Sequence, residues 1–321
     1  FYFLFCLKFL YYFYHQGIRT PFLEKVFFLK IPYTYSIITN IDNEHLDYYK
    51  SINNLKKKFS EFLEKTPSLG KAFVCIDDKY NKEVLKKIKN KNFYTYGISK
   101  SSNFQILNIF QNIFFSKFDL KINIPAEKKI IKNIKIPLIG VHNIKNAASA
   151  IAVAFSIGLS EKIIKKGLLK FKGVERRFNY LFKHNDSIFF DDYAHHPTEI
   201  SSVLDGVREV YKKKKIICIF QPHRISRVKN LKLEFSRSFK KADTVILCPI
   251  YKANEKLKLG FSYNSFARLI INNSRVKLIN IENELALKNF LKQTAYGEKI
   301  YIGMGAGTIS NWVRNLKNIL K

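Results

Sequence analysis

An α/β fold with a mainly parallel sheet is predicted, in two parts, by three observations. Short runs rich in Val, Ile and aromatics alternate with helix-like stretches. Several of these runs end on a polar cluster. The pattern breaks near residue 173 and then resumes. A chain of 321 residues with 47% hydrophobic residues is long enough for two cored domains.

In the first part, YSIITNI (35–41) reads as a strand and residues 53–63 as a helix. GKAFVCIDD (70–78) is a strand closing on two carboxylates, followed by a Lys-rich helix and a strand in NFYTYGIS. Residues 100–135 carry weak periodicity and suit antiparallel strands. A short strand is expected over 136–140, then an Ala-rich helix over 143–157 with Gly158 as its cap, then a helix over 161–170 capped by Ser160. In the second part, SIFFDD, KIICIF, TVILCPI, VKLIN and KIYIG read as strands. Pro197 suits the first turn of a helix running to about Tyr211. In an open parallel sheet the carboxyl ends of the strands form the ligand crevice. DDYAHH, QPHRISR, YKANE and GAGTIS are therefore placed on one edge by topology.

The formal charge of +31 invites a nucleic-acid reading. Against it, only ten of the 56 basic residues are Arg, the Lys are spread along the whole chain, and no RNA-binding motif with interleaved aromatics occurs. Lys, Asn, Ile, Phe and Tyr are all over-used and share AT-rich codons, so a biased genome loading solvated faces with Lys is the simpler account, and no specific nucleic acid is expected. Four of the ten Arg fall in two pairs, Arg176/Arg177 and Arg224/Arg227, where a planar fork for carboxylate or phosphate is something Lys cannot reproduce. The four Cys (Cys6, Cys75, Cys218, Cys248) lack metal spacing and read as small core residues in a reducing compartment. The opening FYFLFCLKFLYYFYHQ is short for a membrane span and lacks a clear cleavage site. It reads as a truncated start, no membrane partner is expected, and residues 1–26 are set aside as an apolar segment of uncertain status.

Six clusters could carry chemistry. TNIDNEHLD (39–47) puts His45 among carboxylates, as a divalent-metal ligand or as a solvated loop. GVHNIKNAA (140–148) puts Asn143 and Asn146 on one face of a helix start, to read a base or ribose edge or simply to cap the helix. GVERRF (173–178) offers Arg176 and Arg177 as a phosphate clamp or a solvated pair. In QPHRISR (221–227), His223, Arg224 and Arg227 could grip a carboxylate, with donors added by a helix N-terminus. GMGAGTIS (303–310) lacks both full G-x-G-x-x-G spacing and a P-loop lysine, so a tight strand-to-helix turn is the better reading. DDYAHHPTE (191–199) holds Asp191, Asp192, Tyr193, His195 and His196. These could form a metal site, an acid/base set or a polar strand end.

In order, TNIDNEHLD, LIGVHNIKNAASAIAVA, FKGVERRF, DDYAHHPTEI, FQPHRISR, IYKANE and GAGTIS resemble the Mur ligase family, specifically its UDP-N-acetylmuramate–L-alanine ligases. The resemblance runs from about Phe27 to the C-terminus. It implies part of the family's central domain over 27–172 and a Rossmann-like C-terminal domain over 173–321. It also implies ATP and Mg²⁺ as cofactors, UDP-N-acetylmuramate and L-alanine as substrates, peptidoglycan precursor synthesis and a cytoplasmic location. In the implied reaction the lactyl carboxylate is activated as an acyl phosphate, which the alanine amine then attacks.

Residue by residue, the resemblance assigns Mg²⁺ to His45, with Glu24 the only nearby upstream carboxylate and its register doubtful. It assigns ATP to Asn143, Asn146, Arg176 and Arg177. Catalysis falls to Asp192, His195, His196, Arg224 and Arg227, and substrate contacts to Tyr193, His223, Arg224 and Arg227. On this reading His195 and His196 belong to a substrate-facing rim, not a metal site.

The family's G-x-x-G-K-T loop and UDP-sugar-binding domain have no counterpart in these 321 residues. Low activity of the chain alone is therefore expected. The alternatives are a non-catalytic remnant, a subunit needing a separately encoded N-terminal half, or a ligase that attaches a whole tripeptide.

Overall fold

The computed structural model describes residues 29–42, 49–112, 114–171, 173–255 and 262–320. It forms two compact units. One comprises the residues up to Ile106 with Leu120–Ile130 and Ala148–Gly158, and the other comprises Leu107–Asp119, Ile131–Ala147 and Leu159–Lys321.

The first six-stranded sheet runs β1 (Tyr35–Ile38), β2 (Lys71–Cys75), β3 (Phe93–Gly97), β4 (Phe104–Gln111), β5 (Ser116–Ile124), β6 (Glu127–Ile136), in sequence order. β1 to β4 pair in parallel. Helices α1 (Ile52–Glu64) and α2 (Lys79–Lys87) make the crossovers between the first three strands, as parallel pairing requires. The weakly periodic 100–135 region is β4 to β6. β5 and β6 are neighbours joined by two residues, which only an antiparallel pair permits. β5 alternates buried and exposed positions, the mark of a strand with one solvated face.

The strand expected over 136–140 does not form. Ile136 is the last residue of β6, Pro137 has no N–H to continue a ladder, and Gly140 adopts φ +96°. α3 (Val141–Ser156) follows and stops at Gly158 (φ +85°), and α4 (Glu161–Lys170) starts after Ser160, as expected.

The second sheet has the order β11-β10-β9-β12-β8-β7: β7 (Asn179–His184), β8 (Ser187–Asp192), β9 (Lys215–Phe220), β10 (Thr244–Leu247), β11 (Lys277–Asn280) and β12 (Lys299–Met304). All neighbours are parallel except β7 and β8. The unbroken apolar runs have a direct cause, because both faces are covered. In β9, Ile216, Cys218 and Phe220 enter one core, while Ile217 and Ile219 enter the other. In β12, Ile300, Ile302 and Met304 oppose Tyr301 in the same way. Each fully buried Ile or Phe contributes about 1.5–3 kcal/mol relative to exposure. α5 (Pro197–Val210), α6 (Ile225–Asn230), α7 (Lys232–Arg237), α8 (Tyr263–Ser274), α9 (Glu284–Thr294) and α10 (Ile309–Asn315) complete the layers.

β7 had no counterpart among the expected strands. Its signal is the turn: Asn185 (φ 43°) and Asp186 (φ 64°) lie between the His184–Ser187 pair, a two-residue hairpin loop with both residues left-handed. Cys75, Cys218 and Cys248 are buried free thiols, as expected, and Cys6 lies outside the described residues. Among the described residues no helix is long and apolar enough to cross a membrane.

Candidate functional site

The polar clusters do meet at the carboxyl ends of the second sheet. Tyr193 and His195 follow β8, His223 follows β9 and Tyr251 follows β10. Their rings form a ladder: Tyr193–His195 at 5.0 Å, His195–His223 at 5.7 Å, and His223 stacked on Tyr251 at 5.5 Å and 9°. His223 and Tyr251 also form an isolated parallel bridge, which extends the β9–β10 pairing past the strand ends. The Arg224 N–H donates to the Tyr251 carbonyl at 2.9 Å, and the Tyr251 N–H donates to the Pro222 carbonyl at 2.8 Å. Tyr251 was not singled out from the sequence. Its ring packs where a Cβ on Gly307 would lie, so the glycine-rich turn is small in order to admit it.

Burial, then the nearby His195, Arg227 and Arg224, push the His223 imidazole down to about 3. It is therefore neutral at physiological pH and cannot act as a cation there. Arg224 sits at φ 66°, an uncommon conformation for a residue with a Cβ, as do Arg176 (58°), Phe178 (53°) and Ala253 (48°) on the neighbouring loops. Such backbone persists only where surrounding structure enforces it. At Phe178 the cause is visible: its ring stacks on Phe190 at 4.2 Å and its N–H donates to Asp192 at 2.7 Å.

Asp192 is a correction to the expected substrate-facing rim. It is 2% exposed, and its two carboxylate oxygens accept the N–H groups of Phe178 and Ala194, both at 2.7 Å. Burial raises its pKa to about 6, against the lowering effect of those bonds. It ties the GVERRF loop to the DDYAHH loop. His196 is a second correction. It is 4% exposed at the N-cap of α5, so it starts a helix instead of lining a crevice. Among the described residues no group of three or more His, Cys, Asp or Glu could hold a metal ion. His45 and Glu24 lie outside the described residues.

The two Arg of GVERRF separate. Arg176 turns inward, donating to the Gly305 carbonyl at 2.5 Å and lying 4.0 Å from Asp191, with its side chain 14% exposed. It is engaged internally, contrary to a clamp made by both. Arg177 is the half-exposed one. It pairs with Glu199 at 3.4 Å, and both guanidiniums lie over the Tyr193 ring. The helix N-terminus expected after QPHR to supply anion donors is occupied by the chain itself. Glu255 of YKANE accepts the Ser226 N–H at 3.0 Å and the Ser226 hydroxyl at 2.6 Å.

Asn143 lies inside the first turn of α3 and is not its cap. Its amide donates to the Ile139 carbonyl at 2.7 Å, and Asn146 follows on the same face and is exposed. GMGAGTIS is a tight strand-to-helix turn. Gly305 (φ +149°) approaches the Gln221 carbonyl, and the Gln221 amide accepts the Ile309 N–H at 3.1 Å.

Two further residues, Arg314 and Glu199, are not singled out by the sequence, and Asp191 is raised there only beside Asp192, His195 and His196. Asp191 is fully buried and accepts from Ser310 at 2.6 Å and from Arg314 at 3.1 and 3.2 Å, which ties α10 to β8. Arg314 also pairs with Glu175 at 3.0 Å. Glu199 gathers His195, His196 and Arg177. Its spacing three residues after an N-cap, in HHPTE, is a readable capping signal.

Two family models match the chain: the Mur ligase middle domain over residues 23–154 and the Mur ligase, glutamate ligase domain over residues 176–307. The chain belongs to the Mur ligase family. Within it, the chain is 58% identical over 294 residues to a UDP-N-acetylmuramate–L-alanine ligase of Pelagibacter ubique, covering 91% of this chain and 63% of that protein. It is 40% identical to the ligase of the same name from Rickettsia bellii, covering 90% and 62%. The crystal structure of a UDP-N-acetylmuramate–alanine ligase from Thermotoga maritima shares the fold, with TM-score 0.71 at 23% identity over 91% of this chain and 61% of that one. The chain thus spans a little over three fifths of the length of the curated relatives it matches.

Proposed function

We propose that this chain carries the amino-acid-joining half of an ATP- and Mg²⁺-dependent ligase that links L-alanine to UDP-N-acetylmuramate in peptidoglycan precursor synthesis, in the cytoplasm. The observation that carries the proposal is the 58% identity to a ligase of that name across nine tenths of the chain. The ring ladder flanked by Arg224 and Arg227 supports it. ATP supplies the phosphoryl group that activates the lactyl carboxylate. Asn143 and Asn146, one turn apart at the start of α3, fit a nucleotide edge in spacing. Arg177, the exposed member of its pair, fits a phosphate or ribose better than Arg176. The metal ligand on this reading is His45.

Arg224 and Arg227 offer planar forks for the alanine carboxylate. Neutral His223 and the Tyr193 ring line the same edge, where they orient the amine toward the acyl carbon. On the same reading the domains run over 27–172 and 173–321.

No G-x-x-G-K-T run occurs in residues 1–321, so the chain alone ligates poorly. The test is ADP release and amide formation from UDP-N-acetylmuramate, L-alanine, ATP and Mg²⁺, by this chain and by a version extended to the length of its relatives. The extended protein forms the amide and the chain alone does so at a small fraction of that rate. Equal rates would overturn the impairment claim, and a preference for an intact tripeptide over L-alanine would overturn the substrate. Recovery of activity on adding a separate N-terminal half would establish a split ligase, whereas an extended protein with no activity would mark a non-catalytic remnant.

A further inference from the structure

Glu199, on the third residue of α5, touches more of the site than its capping position requires. One carboxylate oxygen accepts the backbone N–H groups of His195 at 3.0 Å and His196 at 3.3 Å. The same oxygen lies 3.3 Å from His195 Nδ1, and the other lies 3.4 Å from Arg177 Nη1. His195 Nδ1 is also 2.9 Å from the Tyr193 carbonyl. A carbonyl only accepts, so Nδ1 carries the ring hydrogen, and neutral His195 keeps its lone pair on Nε2. Every hydrogen bond described for the ring falls on Nδ1.

Burial alone would raise the Glu199 carboxyl. The hydrogen bond from His195 and the charges of His195 and Arg177 outweigh it and hold the group well below the usual carboxylate range. A permanent anion therefore backs His195. His223, 5.7 Å away, has Arg224 and Arg227 as its charged neighbours and is held neutral. Of the two adjacent imidazoles, only His195 has a carboxylate against its Nδ1, the arrangement by which a carboxylate orients a histidine base.

We propose that Glu199 is a positioning residue that fixes His195 with Nδ1–H turned inward, so that Nε2 accepts the proton lost by the attacking amine. This rests on the ligation reading above. The amine nitrogen bonds to the acyl carbon, the carbon–oxygen bond to the phosphoryl group breaks, phosphate leaves, and the ammonium proton passes to Nε2. The resulting imidazolium is paired with Glu199.

The discriminating variant is Glu199→Gln, which can still accept backbone N–H groups but carries no charge. Long-range ¹H–¹⁵N correlation on this chain reads the His195 tautomer directly. The expected signature is protonated Nδ1, with its proton resonance moving upfield in the Gln variant. An Nε2–H tautomer in the wild type, or an unmoved resonance, overturns the proposal whatever the ligase activity turns out to be. In the ligase at the length of its relatives, Glu199→Gln lowers kcat about 10²-fold or more while KM for ATP is unchanged, and adding His195→Gln costs little further. A wild-type kcat in Glu199→Gln also overturns it. If the unmutated ligase forms no amide at all, the ligation reading fails, and the base role falls with it even if the tautomer is as expected.

Discussion

The carboxyl edges of the two sheets both carry paired acids, and they use them differently. After β2, Asp77 accepts the N–H groups of Ile98 and Ser99 at 2.9–3.1 Å, and Gly97 is bare because any Cβ would meet that carboxylate. Asp78 caps α2 through the Asn81 N–H at 2.8 Å. Both acids close turns. After β8, Asp191 and Asp192 also hold backbone and side chains, but two imidazoles, two tyrosines and two arginines gather on the loops after β8, β9 and β10. An acid pair at a strand end is thus no sign of chemistry by itself. The second edge becomes a candidate site through bases and planar cations presented by three separate loops.

That contrast can be broken experimentally, beginning with the buried charge. Asp191→Ala should cost on the order of 3 kcal/mol, because Arg314 loses the partner that ties α10 to β8. A urea midpoint unchanged from wild type would show that the network is incidental. Asp192→Ala should cost about 2 kcal/mol by stranding two N–H donors.

Asp192 also sets a pH dependence. Its folded pKa of about 6 exceeds the unfolded value of about 3.9, so the native state holds the proton more tightly. Its contribution is full below about pH 4 and declines as pH rises through about 6. The stability gap between wild type and Asp192→Asn therefore narrows across that window. A gap that widens would reverse the sign of the argument.

Smaller effects should divide the two edges by ligand. Arg224→Lys or Arg227→Lys should weaken L-alanine binding about tenfold, or 1.4 kcal/mol, with the urea midpoint little changed. Calorimetric titration giving wild-type affinity for both would remove them from the carboxylate site. Asp77→Ala should cost about 1 kcal/mol of stability through its turn and leave L-alanine affinity untouched. A loss of affinity there would erase the distinction between the edges.

Most of the fold was legible because it rests on local signals. Apolar runs of strand length, Pro197 at the first turn of α5 and Gly158 after α3 each act within a few residues. β7 was missed although its Asn-Asp turn is equally local, since NYLFKH is a short, half-solvated edge strand.

The site divided along a different line. The motifs located Tyr193, His195, His223, Arg224 and Arg227 at one edge, because strand-end position follows from chain order in a parallel sheet. They could not separate Arg176 from Arg177, or Asp192 and His196 from His195, since neighbours in sequence point to opposite sides of a loop. The sequence by itself determined two α/β parts, the edge and the residue types on it. Which of those residues are consumed in bracing, and that the Glu199 carboxylate lies against His195 Nδ1, only the tertiary structure decided. The His195–Glu199 contact turns on side-chain orientation within one helix start, and the others on distances between loops tens of residues apart in the chain.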